Sequence, residues 1–146
     1  MQDEYQPIDI NATGPAAVQT AFANQVVYCA KSGAAITARI CAAVAELLAR
    51  GEGGVLLDTV RNWPGAPLAD ALPLRLAGGL HALHLSGTEP TLAAIYEDQP
   101  GANDAAIVAA AIHAHEAALL PWLDGPPQTN EAGRSANFIA AMLWLA

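Results

Sequence analysis

Apolar side chains in this sequence recur at every third or fourth position, and no stretch alternates apolar with polar residues. A period near 3.6 lays side chains along one stripe of a helix, whereas a half-buried strand needs a period of two. The pattern confines the chain to an all-α fold. Val18, Phe22, Val26 and Cys29 make a first stripe, and Ile36, Ile40, Val44, Leu47 and Leu48 a second. Gly33 and Gly51 follow these stripes, with Lys31 and Arg50 just before them. Glycine takes the left-handed conformation that closes a helix, and a cation there faces the negative end of the helix dipole. Two such helices with a short connection predict an opening αα-hairpin.

Beyond it, Val55, Leu56, Leu57 and Val60 predict a short helix ending at Arg61. Trp63-Pro64-Gly65-Ala66-Pro67 cannot continue it, because proline lacks an amide donor and drives its predecessor toward extended geometry. Asp70 is expected to cap the next helix, which carries Leu72, Leu76, Leu80 and Leu83 on one face and ends near Gly87. Residues 89–97 predict another short helix. Asp104 is expected to cap a longer one, with Val108, Ile112, His115 and Leu119 buried and Pro121 kinking or ending it. A last helix begins near Asn130 and carries Phe138, Met142 and Leu145. The sum is an irregular bundle of about six to seven helices. Residues 1–14 show no periodicity and are expected to form a flexible arm, leaving 15–146 as one helical domain.

Composition narrows the function classes. A chain of 146 residues fits one domain. Although 53% of it is apolar, the runs over 105–112 and 138–146 fall well short of the about 20 residues that span a bilayer. Its first residues are acidic and lack the apolar core of a signal peptide. Cys29 and Cys41 form no paired motif and read as reduced core thiols, which points to the cytoplasm. With 14 acidic against 6 basic residues and a net charge of −8, no basic stripe exists and nucleic-acid binding is excluded. Small molecules and protein surfaces remain as partners.

Only 14% of residues are charged, so the cluster Gln128, Thr129, Asn130, Glu131 and Arg134 stands out. Arg75 and Arg134 fall in first helical turns, where the dipole disfavours a cation and a carboxylate or bound anion must compensate. Two readings compete. In the structural one, Asn130 caps its helix, Glu131 pairs with Arg134, and Asp70 serves Arg75. In the functional one, Arg75 and Arg134 converge on a small anionic ligand, Gln128 and Asn130 orient it, and His81 or Glu131 handles a proton. His81 and His84 share a helix face and make half of a metal site, but no third ligand follows at a recognisable spacing. His113 and His115 point to different faces; His115 reads as a hydrogen-bonded core histidine. Phosphate-binding glycine loops, dinucleotide fingerprints and nucleophile elbows are absent from the sequence.

Two long motifs carry a resemblance. The run Asn62-Trp63-Pro64-Gly65-Ala66-Pro67-Leu68-Ala69-Asp70-Ala71-Leu72-Pro73-Leu74-Arg75, followed by Leu80-His81-Ala82-Leu83, is similar to a bacterial family catalogued as domain of unknown function 2332. So is the run Pro126-Pro127-Gln128-Thr129-Asn130-Glu131-Ala132-Gly133-Arg134-Ser135. The similarity extends from about Phe22 onward. It implies a bacterial cytoplasmic protein, with no established activity and no cofactor to carry over. Members of the family run longer, with an α/β second half loosely suggestive of methyltransferase-like folds. This chain is therefore expected to be the N-terminal portion of a longer member, and the polar pocket to be part of an incomplete enzyme. The alternative is a non-catalytic interaction domain whose apolar terminal helix docks a further domain or a second copy.

Overall fold

The computed structural model describes residues 9–97 and 103–124. Among these residues there are seven helices and no strand, so the fold is all-α. The opening hairpin pairs α1 (Pro15–Lys31) with α2 (Ala35–Ala49). Both helices end as the glycines predict. Gly33 and Gly51 have φ of +84° and +76°. The amides of Ala34 and Glu52 reach back to the carbonyls of Cys29 and Leu47 at 2.8 and 3.0 Å, the Schellman closure. Toward the other end of the hairpin, the Gln19 side-chain amide donates to the Ala45 carbonyl at 3.0 Å.

The short α3 (Val55–Arg61) leads into the proline loop, and α4 (Leu72–Leu85) follows. A 3-10 helix, Pro90–Tyr96, precedes α5 (Asp104–Ala114) and α6 (Glu116–Asp124). α2 packs against both α1 and α5, while α4 touches α1, α2 and α6. Phe22, Leu47, Leu56, Leu80, Ile95 and Ile112 meet at the centre with no exposed surface. Full burial of one such side chain is worth about 1.5–3 kcal/mol, so this cluster dominates the stability of the fold. Cys29 and Cys41 are both buried and unbridged, as expected.

Three local expectations are corrected. Ala71, not Asp70, caps α4, because the Asp70 carboxylate accepts the Trp63 indole N–H at 2.8 Å. Asp104 is the first residue of α5 rather than its cap. Its carboxylate takes a two-pronged bond from Arg39, Nε at 3.0 Å and Nη2 at 2.9 Å, while Arg39 Nη1 donates to the Glu97 carbonyl at 2.8 Å. The long helix expected through His115 is broken at that residue. α5 and α6 meet there at 92°, and Pro121 is accommodated inside α6. His115 is accordingly half-buried at a corner rather than enclosed in a helical stripe.

α6 returns across α4 because Gly79 lets it come close. A Cβ on Gly79 would stand 2.9 Å from Leu119 Cδ2 and 3.1 Å from Trp122 Cγ. Glycine inside a helix costs about 1 kcal/mol relative to alanine, and here the close approach of Leu119 and Trp122 offsets it. Among the described residues no single helix is long and apolar enough to cross a membrane.

Candidate functional site

Arg75 completes the first turn of α4, its amide bonding the Ala71 carbonyl at 3.0 Å. Its side chain turns back on the loop that precedes the helix. Nε donates to the Asp70 backbone carbonyl at 2.8 Å. The Asp70 carboxylate is engaged by Trp63 and leaves no space for a Cβ on Gly65. Ala71 sits between them with φ 54° and ψ 39°, a left-handed conformation that costs a non-glycine residue roughly 1–2 kcal/mol. Residues 62–75 therefore form one construction: indole on carboxylate, guanidinium on carbonyl, and a strained hinge residue. The expected ion pair between Asp70 and Arg75 is not made. Among the described residues no carboxylate pairs with Arg75 at all.

Beside this construction lies a groove of about 280 Å³ between α1 and the proline loop. Asn24, Gln25 and Tyr28 line one side, and Pro67, Leu68, Ala71 and Pro73 the other. Arg75 is four residues beyond Ala71, which lines the groove, and is not itself among the lining residues.

His81 is buried further along α4. Nδ1 lies 2.7 Å from the Tyr96 hydroxyl, and His84 stacks on the Tyr96 ring with centroids 3.8 Å apart. Burial, reinforced by His84, lowers the His81 pKa from its ordinary value, and burial pushes the Tyr96 phenol up to about 12. Both shifts favour neutral groups near pH 7, with one proton on the line between Oη and Nδ1. Arg75 and His81 are six residues apart, about 9 Å along the axis and a third of a turn around it, so they share a helix but not a face. Gln128, Asn130, Glu131 and Arg134 lie outside the described residues. His81 and His84 have ring centroids 6.4 Å apart. Among the described residues no group of three His, Cys, Asp or Glu side chains could hold a metal ion.

The corner between α5 and α6 gathers a second polar set. His113 Nε2 lies 3.0 Å from Glu52, and His115 Nε2 lies 2.9 Å from Glu89. The next residue, Glu116, accepts the Leu56 amide at 3.0 Å, at the start of α3. Thr91 also donates to Glu89. That hydroxyl, and then His115, hold the Glu89 carboxyl below its ordinary pKa. Sequence reading identified the histidines but missed Tyr96, Glu89 and Glu52. Their partners stand 15, 26 and 61 residues away, and no local pattern links them.

No curated protein and no solved structure matches this chain. A family model described as an uncharacterized protein conserved in bacteria, DUF2332, matches residues 19–146 and so takes in both the α4 construction and the polar run after α6. The chain belongs to that bacterial family.

Proposed function

We propose that this chain is a cytoplasmic domain that binds an anionic small molecule at the start of α4, as one part of an enzyme. Arg75 supplies the recognising charge. Gln128, Asn130, Glu131 and Arg134 complete the pocket and Glu131 moves a proton, since His81 does not share a helix face with Arg75 and is held on Tyr96. One observation carries the reading. The Arg75 guanidinium is oriented by the Asp70 backbone carbonyl through Nε, while the Asp70 carboxylate is engaged by Trp63 instead. A cation held in a first helical turn, against the dipole and with no carboxylate paired to it among the described residues, suits an external anion. The adjacent groove has room for a small molecule.

Thermal unfolding with inorganic phosphate, pyrophosphate and a short dicarboxylate tests this reading. At a hundred times its Kd, a bound anion stabilises the fold by about 2.7 kcal/mol, a Tm rise of several degrees. Arg75→Gln and Arg134→Ala should each abolish the rise while remaining folded. Undiminished shifts in both variants, or no shift in the parent chain at millimolar anion, would refute the site.

A further inference from the structure

The bend between α5 and α6 rests on one residue. His115 has φ −129° and ψ 31°, and helix resumes at Glu116. Nothing in the neighbouring sequence demands a break. Residues 104–124 contain no glycine, and their sole proline lies inside α6 rather than at the corner. Around the bend, Ala114, Ala117 and Ala118 are the strongest of helix formers. At present the Ala118 amide reaches only to the His115 carbonyl, at 3.0 Å. In a continuous helix the amides of Glu116, Ala117 and Ala118 would bond Ile112, His113 and Ala114 in the ordinary i to i−4 pattern. Straightening therefore gains backbone hydrogen bonds and a favourable local conformation.

What opposes straightening is tertiary. Leu119 and Leu123 are buried, and Leu119 and Trp122 close over Gly79. A single copy would lose that packing. Two copies need not, because α4 of the second presents the identical surface. Among the described residues, the packing of α6 on α4 is kept and the change is concentrated at the corner, where α6 also touches α3 and α5. Its fastenings there are polar contacts: His115 on Glu89, Glu116 accepting the Leu56 amide, and His113 on Glu52 in an exposed setting where such pairs contribute little.

We propose that the α5–α6 corner is the hinge of a domain-swapped dimer, in which α5 runs straight into α6 and α6 seats on α4 of a second copy. The exchange is reciprocal, so it closes as a two-fold dimer and leaves no unpaired surface to propagate.

Light scattering on the size-fractionated full chain, after concentration and after refolding from urea, reads the dimer fraction directly. His115→Ala removes the Glu89 contact and raises helix propensity, and should increase the dimer fraction about ten-fold over the parent. His115→Gly should lower it. Dimers labelled separately with donor and acceptor dyes should exchange partners only when urea partly unfolds them. Glu89→Ala loosens the same corner from the opposite side and must also raise the dimer fraction, which keeps the test decisive if His115→Ala does not fold. Monomers in every variant would overturn the proposal. So would equal dimer in the Ala and Gly variants, or exchange within minutes in buffer alone, which marks a surface contact.

Discussion

The α1–α2 hairpin and the α5–α6 corner both reverse or redirect a helix, by opposite means. At the hairpin the instruction is local. Gly33 takes the left-handed position, and the Ala34 amide closes on Cys29 within the same few residues. At the corner the instruction comes from elsewhere: Glu89 lies 26 residues from His115, Glu52 lies 61 from His113, and Gly79 receives Leu119 and Trp122. A turn encoded locally should survive loss of its neighbours, whereas a turn imposed from a distance should depend on them.

The largest expected effect sits at the corner's support. Gly79→Ala would stabilise an isolated helix by about 1 kcal/mol, yet here overpacking against Leu119 and Trp122 should destabilise by about 1–3 kcal/mol in urea unfolding. A gain in stability would mean that α6 does not approach α4 as described. At the hairpin, Gly33→Ala forces a Cβ into a left-handed residue with open space around it, so the loss should reflect backbone strain alone, roughly 1 kcal/mol. A loss as large as that at Gly79 would place more than local geometry in the turn.

The smallest effect is in pH. His81 has a folded-state pKa below its unfolded value of 6.5, because burial disfavours the imidazolium. Between those two values the unfolded chain binds more protons, so stability should fall as pH drops from 6.5 through the folded value. His81→Asn should flatten that limb. Glu89 acts at lower pH: its contribution is complete above the ordinary 4.5 and disappears as pH falls through its depressed folded value. Tm measured from pH 8 to about 3.5 separates the two windows. A single transition that His81→Asn leaves unchanged would remove His81 from the account.

The same contrast explains what could be read in the sequence. α1, α2 and α3 have the predicted ends because apolar period, glycine and terminal cations act within a turn or two. Asp70 and Asp104 were misread as caps for a common reason. Each looks free in sequence, but Trp63 and Arg39 claim their carboxylates across 7 and 65 residues. The 92° break was invisible because no glycine or proline adjoins His115, and Ala114, Glu116, Ala117 and Ala118 beside it favour helix. Of the candidate site, Arg75 and His81 were legible as polar groups on an apolar helix. The backbone carbonyl that orients Arg75 and the phenol that meets His81 depend on how the loop and the 3-10 helix fold over α4.

Arg39 carries one more consequence, for redesign. One guanidinium grips the Glu97 carbonyl and the Asp104 carboxylate together, so it fixes both banks of the intervening stretch regardless of what spans them. Arg39 is thus the residue to keep in any redesign of this end of the bundle, because losing it would free the Glu97 carbonyl and the start of α5 together.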